Sequence, residues 1–231
     1  EAAEYQNIIA AYHPSPKTVY DFARSRFGVI AGPTGAGKDT LRNALVQASP
    51  NFTRVLSTTT RPPRPGEQDG LEYHFRPLEF IDEGLDEQRF LQAAVVHNQQ
   101  ISCLDLADIQ VMSETQTGLS ILIVQTEMEL RRLNPDLRTV FVVPPSLSIL
   151  KERMNAGRDV AEDEMKRRLD AAVAELTIAL RHLDYFCIIN EDVETMRACA
   201  EAFFENGTRD EEVDRQARER ISTVLNELQG A

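Results

Sequence analysis

Apolar residues recur along this chain with two different periods. At the start, Tyr5, Ile8, Ile9 and Tyr12 follow a helical spacing that breaks at Pro14 and Pro16, and a second short helix is predicted over 18–24. The run Phe27-Gly28-Val29-Ile30-Ala31 is continuous, as expected of a buried strand, and leads straight into a glycine-rich turn. Leu41, Ala44 and Leu45 then give the next segment an apolar helical face. Further continuous runs at 119–124, 139–143 and 186–189 predict three more buried strands, each followed by helical patterning. Such alternation implies an α/β fold, with a mostly parallel sheet and helices on both faces. The region 55–110 interrupts the alternation; it is richer in Pro, Thr and Arg and predicts a small inserted domain. Near the end, Val213, Ala217, Ile221, Val224, Leu225 and Leu228 form one apolar stripe, a helix that packs on the core.

The turn after the first strand reads Gly32-Pro33-Thr34-Gly35-Ala36-Gly37-Lys38-Asp39-Thr40, and it sits between a strand and a helix. That context is what a phosphate-binding loop requires. Glycines let the backbone wrap a polyphosphate, the N–H groups and the helix N-terminus supply positive potential, and Lys38 adds a full charge near the transferred phosphoryl group. Asp39 stands where a Ser or Thr usually follows the lysine. Its carboxylate is a hard oxygen ligand for Mg²⁺, with the Thr40 hydroxyl one residue later; equally, it is a helix N-terminal charge facing the dipole, and both readings stay open.

Arginines and hydroxyls gather next, in Ser57-Thr58-Thr59-Thr60-Arg61-Pro62-Pro63-Arg64-Pro65-Gly66-Glu67 and then Asp69-Gly70-Leu71-Glu72-Tyr73-His74-Phe75. Arginine forks match phosphate oxygens. Here the chain resembles the guanylate kinase family, whose signature S-x-T-T-R-x-P-R-x-G-E is followed by a D/N-G-x-x-Y-x-F element. The resemblance assigns the acceptor nucleotide's phosphate to Ser57, Arg61, Arg64 and Tyr73. Pro144-Pro145-Ser146 and the arginines Arg153, Arg158 and Arg168 resemble the family's P-P-S element and mobile lid, which closes over the ATP phosphates. Arg158, in Ala156-Gly157-Arg158, is one residue out of register with the family's G-R-G. Ile188-Ile189-Asn190-Glu191-Asp192 is similar to the V-I-V-N-D-D segment whose Asn approaches adenine; Asn190 is equally a strand-end turn residue.

The resemblance covers about 26–205 and implies a P-loop NTPase architecture: a three-layer parallel sheet (26–56 and 118–205), an acceptor-binding insert (about 57–117) and a helical lid (about 153–170). The segment 1–25 is then a helical extension and 206–231 a terminal helix. The implied activity is ATP- and Mg²⁺-dependent phosphorylation of a nucleoside monophosphate, GMP + ATP to GDP + ADP. Lys38, Arg61, Arg153 and Arg168 would be catalytic. ATP would meet the loop from Gly32 to Thr40, with Arg158 and Asn190, and the metal would meet Asp39 and Thr40.

The family pattern fails in specific places. The glutamate that reads guanine in E-F-x-E-W aligns with Gln92, and Y-G-T/S aligns with Ile101-Ser102-Cys103, which places Cys103 at an acceptor contact. L-D-I-D aligns with Ile123-Val124-Gln125-Thr126, losing both acids. A glutamine accepts less well than a carboxylate from guanine's two adjacent donors. Two alternatives follow: a kinase for another phosphorylated acceptor, such as another nucleoside monophosphate or ribose 1,5-bisphosphate, or a nucleotide-binding module without turnover. His74 and His97 read as packing or surface residues.

Composition adds limits. The 231 residues, 42% hydrophobic, are enough for one elaborated domain, and the formal charge of -12 disfavours polynucleotide partners. No membrane-length apolar run is present and Glu1-Ala2-Ala3-Glu4 lacks the features of a secretory leader, which predicts a cytoplasmic protein; a homodimer is left open. Cys103, Cys187 and Cys199 are odd in number and lack metal-like spacing, so reduced thiols are expected.

Overall fold

A computed structural model describes residues 5–96, 100–155 and 161–230. In chain order the helices are α1 (Tyr5–Ala10), α2 (Pro16–Ala23), α3 (Lys38–Ala48), α4 (Leu78–Asp86), α5 (Ala107–Gln110), α6 (Val124–Leu133), α7 (Leu147–Asn155), α8 (Glu162–Arg181), α9 (Val193–Asn206) and α10 (Glu211–Gly230). The strands are β1 (Phe27–Ala31), β2 (Phe52–Arg54), β3 (Thr58–Thr59), β4 (His74–Phe75), β5 (Phe90–Val96), β6 (Gln100–Asp105), β7 (Thr117–Ile121), β8 (Arg138–Val143) and β9 (Phe186–Ile189). They build a five-stranded sheet of order β2-β7-β1-β8-β9 and a four-stranded sheet of order β4-β3-β6-β5. In the first, β8 lies parallel to both β1 and β9, so the expected mixed α/β fold with a parallel central sheet is present. The second is mostly antiparallel, with β6 running against both β3 and β5.

One expected strand is shorter than the apolar run suggested. β7 ends at Ile121, and Val124 opens α6 instead. The cause is a change of period: Val124, Glu127 and Leu130 are all fully buried at helical spacing, whereas Ile123 is 57% exposed.

The described residues form two compact units. The first is drawn from Glu1–Phe27, Thr53–Ser120 and Met128–Leu137. Its core packs Ile81, Leu85, Phe90, Ile101 and Cys103 beneath Tyr5, Ile9 and Tyr12 of the N-terminal segment. That segment is fastened at the start of β5: the Tyr12 hydroxyl donates to Phe90 O at 2.7 Å, and the Ser15 N–H and Thr18 hydroxyl both donate to Gln88 O, just before the strand, at 3.0 and 2.9 Å. Gln88 has a left-handed φ of 51°, which turns its carbonyl outward for these donors. α2 starts with Ser15 as N-cap and Pro16 in its first turn, both favourable there.

The second unit is drawn from Gly28–Phe52, Ile121–Glu127 and Arg138–Ala231. Its centre includes Val29, Ile30, Phe141, Val142, Leu176 and Phe186, each 2% exposed or less. Glu127 is fully buried there, with hydroxyl donors from Thr139, at 2.6 Å, and Tyr185. α10 packs on β9 and α8. Its Asp214 accepts the Cys187 N–H at 2.8 Å and the Arg218 Nε–H at 2.7 Å. Arg218 in turn donates to the carbonyls of Ala179, His182 and Tyr185, closing the end of α8. The three cysteines form no disulfide.

Candidate active site

In the second unit, β1 delivers the chain to a loop that folds back over its own lysine. Gly32 has φ 137°, and a Cβ there would come within 2.5 Å of Val142 O, so only glycine fits. Gly37 is the left-handed N-cap of α3 (φ 105°), where a Cβ would fall 2.0 Å from Asn190 Nδ2. Lys38 Nζ donates to Gly32 O at 2.5 Å and Pro33 O at 3.0 Å, which holds an ammonium at the mouth of the backbone cradle. Burial pushes the Lys38 pKa down, against the pull of Glu175 and Asp39.

Two residues expected near ATP, Arg153 and Asn190, reach this loop from other elements. Arg153, on α7, reaches Ala36 O at 3.5 Å through Nη1. Asn190, 6% exposed, donates through Nδ2 to Ala36 O at 2.8 Å. Its amide nitrogen therefore braces the loop from the end of β9. Asp39, 75% exposed, lies in the first turn of α3 and pairs with Arg42 at 3.0 Å; Thr40 is exposed beside it. Among the described residues, Arg168 makes no hydrogen bond to the loop. It donates to Glu164 and to Met154 O, both at 2.9 Å, and so joins α8 to the end of α7. Arg158 lies outside the described residues.

In the first unit, the arginines expected to hold the acceptor are organised by the glutamate that closes their motif. Arg61 grips Glu67 with both guanidinium ends, at 2.5 and 2.8 Å, and lies 5.0 Å over the Tyr73 ring and 5.4 Å over Phe75. Glu67 also accepts the Arg64 N–H at 2.8 Å, which shapes the turn and leaves the Arg64 side chain exposed. The Arg61 hydrogen bonds, with help from that N–H, pull the Glu67 pKa down to about 2. His74 pairs with Asp108 at 3.2 Å, and that bond raises its pKa; His97 lies outside the described residues.

The register of the second sheet corrects the assignment of Cys103. Cys103 is paired with Thr58 and Ala93 and is 1% exposed in the apolar cluster, where burial drives its thiol pKa up. Its neighbour Ser102 pairs with Thr59 and Ala94 and so projects from the opposite face. Gln92, one residue before Ala93, shares the Ser102 face. The face that carries Gln92 thus presents Ser102, while Cys103 is buried on the other side and leaves the expected acceptor set. Alternation along β6, polar at Gln100 and Ser102 and apolar at Ile101 and Cys103, carried this signal in the sequence.

Glu175 was also missed. It projects from α8 on the side of buried Ala172, Leu176 and Ala179, its Oε2 is buried without a hydrogen-bond partner, and burial raises its pKa to about 7 despite the opposing pull of Lys38. A lone acid at i+3 of Ala172 on an apolar helical face was the available clue.

Comparisons with known proteins agree with this geometry. The guanylate kinase family model matches residues 24–207. Guanylate kinase of Helicobacter pylori is 35% identical over 166 residues, covering 72% of this chain and 80% of that protein. The enzyme of Rubrobacter xylanophilus is 35% identical over 178 residues, covering 75% and 90%, and that of Idiomarina loihiensis 31% identical over 204 residues, covering 87% and 95%. Among solved structures, the guanylate kinase from Anaplasma phagocytophilum aligns with a TM-score of 0.58 at 21% identity, covering 77% of this chain and 83% of that one, a likeness of fold.

Proposed function

The chain belongs to the guanylate kinase family, and from that premise we propose that it transfers the γ-phosphoryl group of ATP to GMP, giving GDP and ADP. The observation that carries this reading is the intact loop with Lys38 folded into it, in a chain whose relatives carry that enzyme's name. A phosphate oxygen of GMP, already ionised, attacks the γ-phosphorus as the bond to the ADP oxygen breaks, so no side-chain base is needed. Lys38 and the loop N–H groups offset charge on the transferring group, and Arg153, already at the loop, adds a second cation. Ser57, Arg61, Arg64, Tyr73 and Ser102 hold and orient the acceptor, Arg61 through a fork that Glu67 has already fixed.

Mg²⁺ fits the residues beside the loop. It ordinarily takes one or two protein oxygens and fills its other positions with phosphate and water. Asp39, exposed at the first turn of α3, and the Thr40 hydroxyl are such oxygens, and the ion would neutralise charge on the ATP phosphates. Among the described residues no helix is long and apolar enough to cross a membrane. With three unpaired thiols and a need for ATP, our reading places the reaction in the cytoplasm.

The test is ADP formation with ATP, Mg²⁺ and each of GMP, AMP, CMP, UMP and ribose 1,5-bisphosphate. Turnover with GMP that falls by about 10³-fold or more in Lys38→Ala is expected, given the charge removed from the transition state. ATP binding with no turnover on any acceptor would replace this reading with that of a binding module.

A further inference from the structure

The packing of the second unit carries a carboxylate from α8 to the side of the glycine loop. The loop rests on α7, where a Cβ on Gly35 would lie 3.3 Å from Arg153 Cβ and 3.5 Å from Leu150 O. Leu150 and Met154 of α7 pack in turn on Ala172 of α8, and Glu175 stands one turn further along that helix, on its inner face. Glu175 Oε2 is buried and accepts no hydrogen bond, and among the described residues no ion pair joins Glu175 to Lys38, whose Nζ is engaged with Gly32 O and Pro33 O. The two charges act on each other all the same: Lys38 pulls the Glu175 pKa down and Glu175 pulls the Lys38 pKa up, in both cases against burial. Other charges on the packed elements are occupied elsewhere. Asp39 pairs with Arg42, Arg153 lies at Ala36 O, and Arg168 pairs with Glu164 toward the start of α8. From α10, Arg218 is bonded to Asp214 and to Ala179 O near the far end of α8. A buried carboxylate oxygen left unsatisfied costs stability, so packing does not account for it.

We propose that Glu175 contacts the ATP phosphates in its protonated form: it takes a proton from solvent as the nucleotide enters the loop and donates a hydrogen bond to a phosphate oxygen. The inference rests on the ATP side of the reading above. An ionised carboxylate only accepts hydrogen bonds and repels a polyanion; one added proton removes that repulsion and makes the group a donor. Lys38 favours the ionised form in the free protein, and arriving phosphates compete for that ammonium. Burial has already raised the Glu175 pKa to about 7, so near neutral pH either form is within reach. In this step one H⁺ passes from buffer to a Glu175 oxygen and returns when the nucleotide leaves, with no other bond made or broken. Lys38 and Arg153 then meet the phosphates as cations, and Glu175 meets them as a neutral donor from α8.

Calorimetric titration of the full chain with ATP and Mg²⁺ at pH 8, repeated in EPPS and in Tris, counts the protons taken up, because the two buffers differ in ionisation enthalpy. At that pH the free carboxyl is mostly ionised, so wild type should take up most of a proton per ATP beyond the uptake of Glu175→Gln, which has no place for it. In the same titrations Glu175→Ala should weaken ATP about tenfold, and Glu175→Gln, whose amide also donates, should recover part of that loss. In steady-state kinetics the loss should fall on the ATP KM and leave the GMP KM alone, which also shows that the variants are folded. Equal proton uptake in wild type and Glu175→Gln overturns the inference. So does a Glu175→Gln variant that binds ATP as weakly as Glu175→Ala, because charge and not donation would then matter and Glu175 would be the counter-ion of Lys38. Wild type that binds ATP with the extra proton but phosphorylates no acceptor counts against the kinase and leaves this contact standing; wild type that does not bind ATP overturns both.

Discussion

Glu67 holds the Arg61 fork by both oxygens and the Arg64 backbone by one, so a single carboxylate sets the geometry of the acceptor turn. Replacing it with alanine should release the fork, raise the GMP KM about tenfold, equivalent to ~1.4 kcal/mol, and leave the ATP KM alone; equal losses in both would show a general folding defect instead. Glu175 makes a prediction in pH. Its pKa is raised to about 7 from an ordinary 4.5, so the folded state holds its proton more tightly than the unfolded chain. Stability from this group is therefore unaffected below about pH 4.5, falls as the pH rises from there to about 7, and stays lower above. Glu175→Gln should stabilise the protein at pH 8, on the order of 2 kcal/mol, and have little effect at pH 4, as read by denaturant melts at both values. The glycine loop was legible because backbone geometry excludes side chains at Gly32 and Gly37, whereas Glu175 is one charge on a helix and has meaning only once Lys38 faces it.

Elements were legible where one period held throughout. The runs Phe27–Ala31 and Phe186–Ile189 are apolar, uninterrupted and recovered with the same ends. The run starting at Leu119 was misread because it changes from strand to helix without losing its apolar character. β3 and β4, two residues each, have no pattern of their own and exist through pairing, with each other and with β6. The Cys103 error was a one-residue slip in a strand, which moves every side chain to the opposite face. Within the second unit, Glu127 connects α6 to Thr139 of β8 and to Tyr185 just before β9. Glu127→Ala should cost about 3 kcal/mol by orphaning two buried hydroxyls and opening a hole, and Glu127→Gln less, since the amide still accepts one bond. Chemical denaturation would show whether the alanine variant loses no more than the glutamine, which would refute this.

On the scale of the whole chain, the segments on either side of the family match are bonded into the units that contain them. The N-terminal segment is tied to the start of β5, with Tyr12 on the Phe90 carbonyl and Ser15 and Thr18 on the Gln88 carbonyl just before the strand, and α10 places Arg218 on three carbonyls near the end of α8. Composition alone could not anticipate this, because an apolar stripe identifies a helix that packs without naming its partner. Arg218→Ala should lower stability by about 2–4 kcal/mol, removing a part-buried ion pair along with the carbonyl donors; an unchanged melting temperature would show that α10 is held by its apolar stripe alone.

The contact between Asp214 and the Cys187 N–H has one more consequence. β9 is the last strand of its sheet, and an exposed border of that kind invites another chain to add a strand of its own. By accepting an N–H that the sheet leaves over, Asp214 makes α10 a guard against such self-templating, and the protein's colloidal behaviour should depend on it. A chain cut after Gly207 should scatter light and form oligomers at concentrations where the intact protein stays monodisperse, and the single change Asp214→Ala should fall between the two.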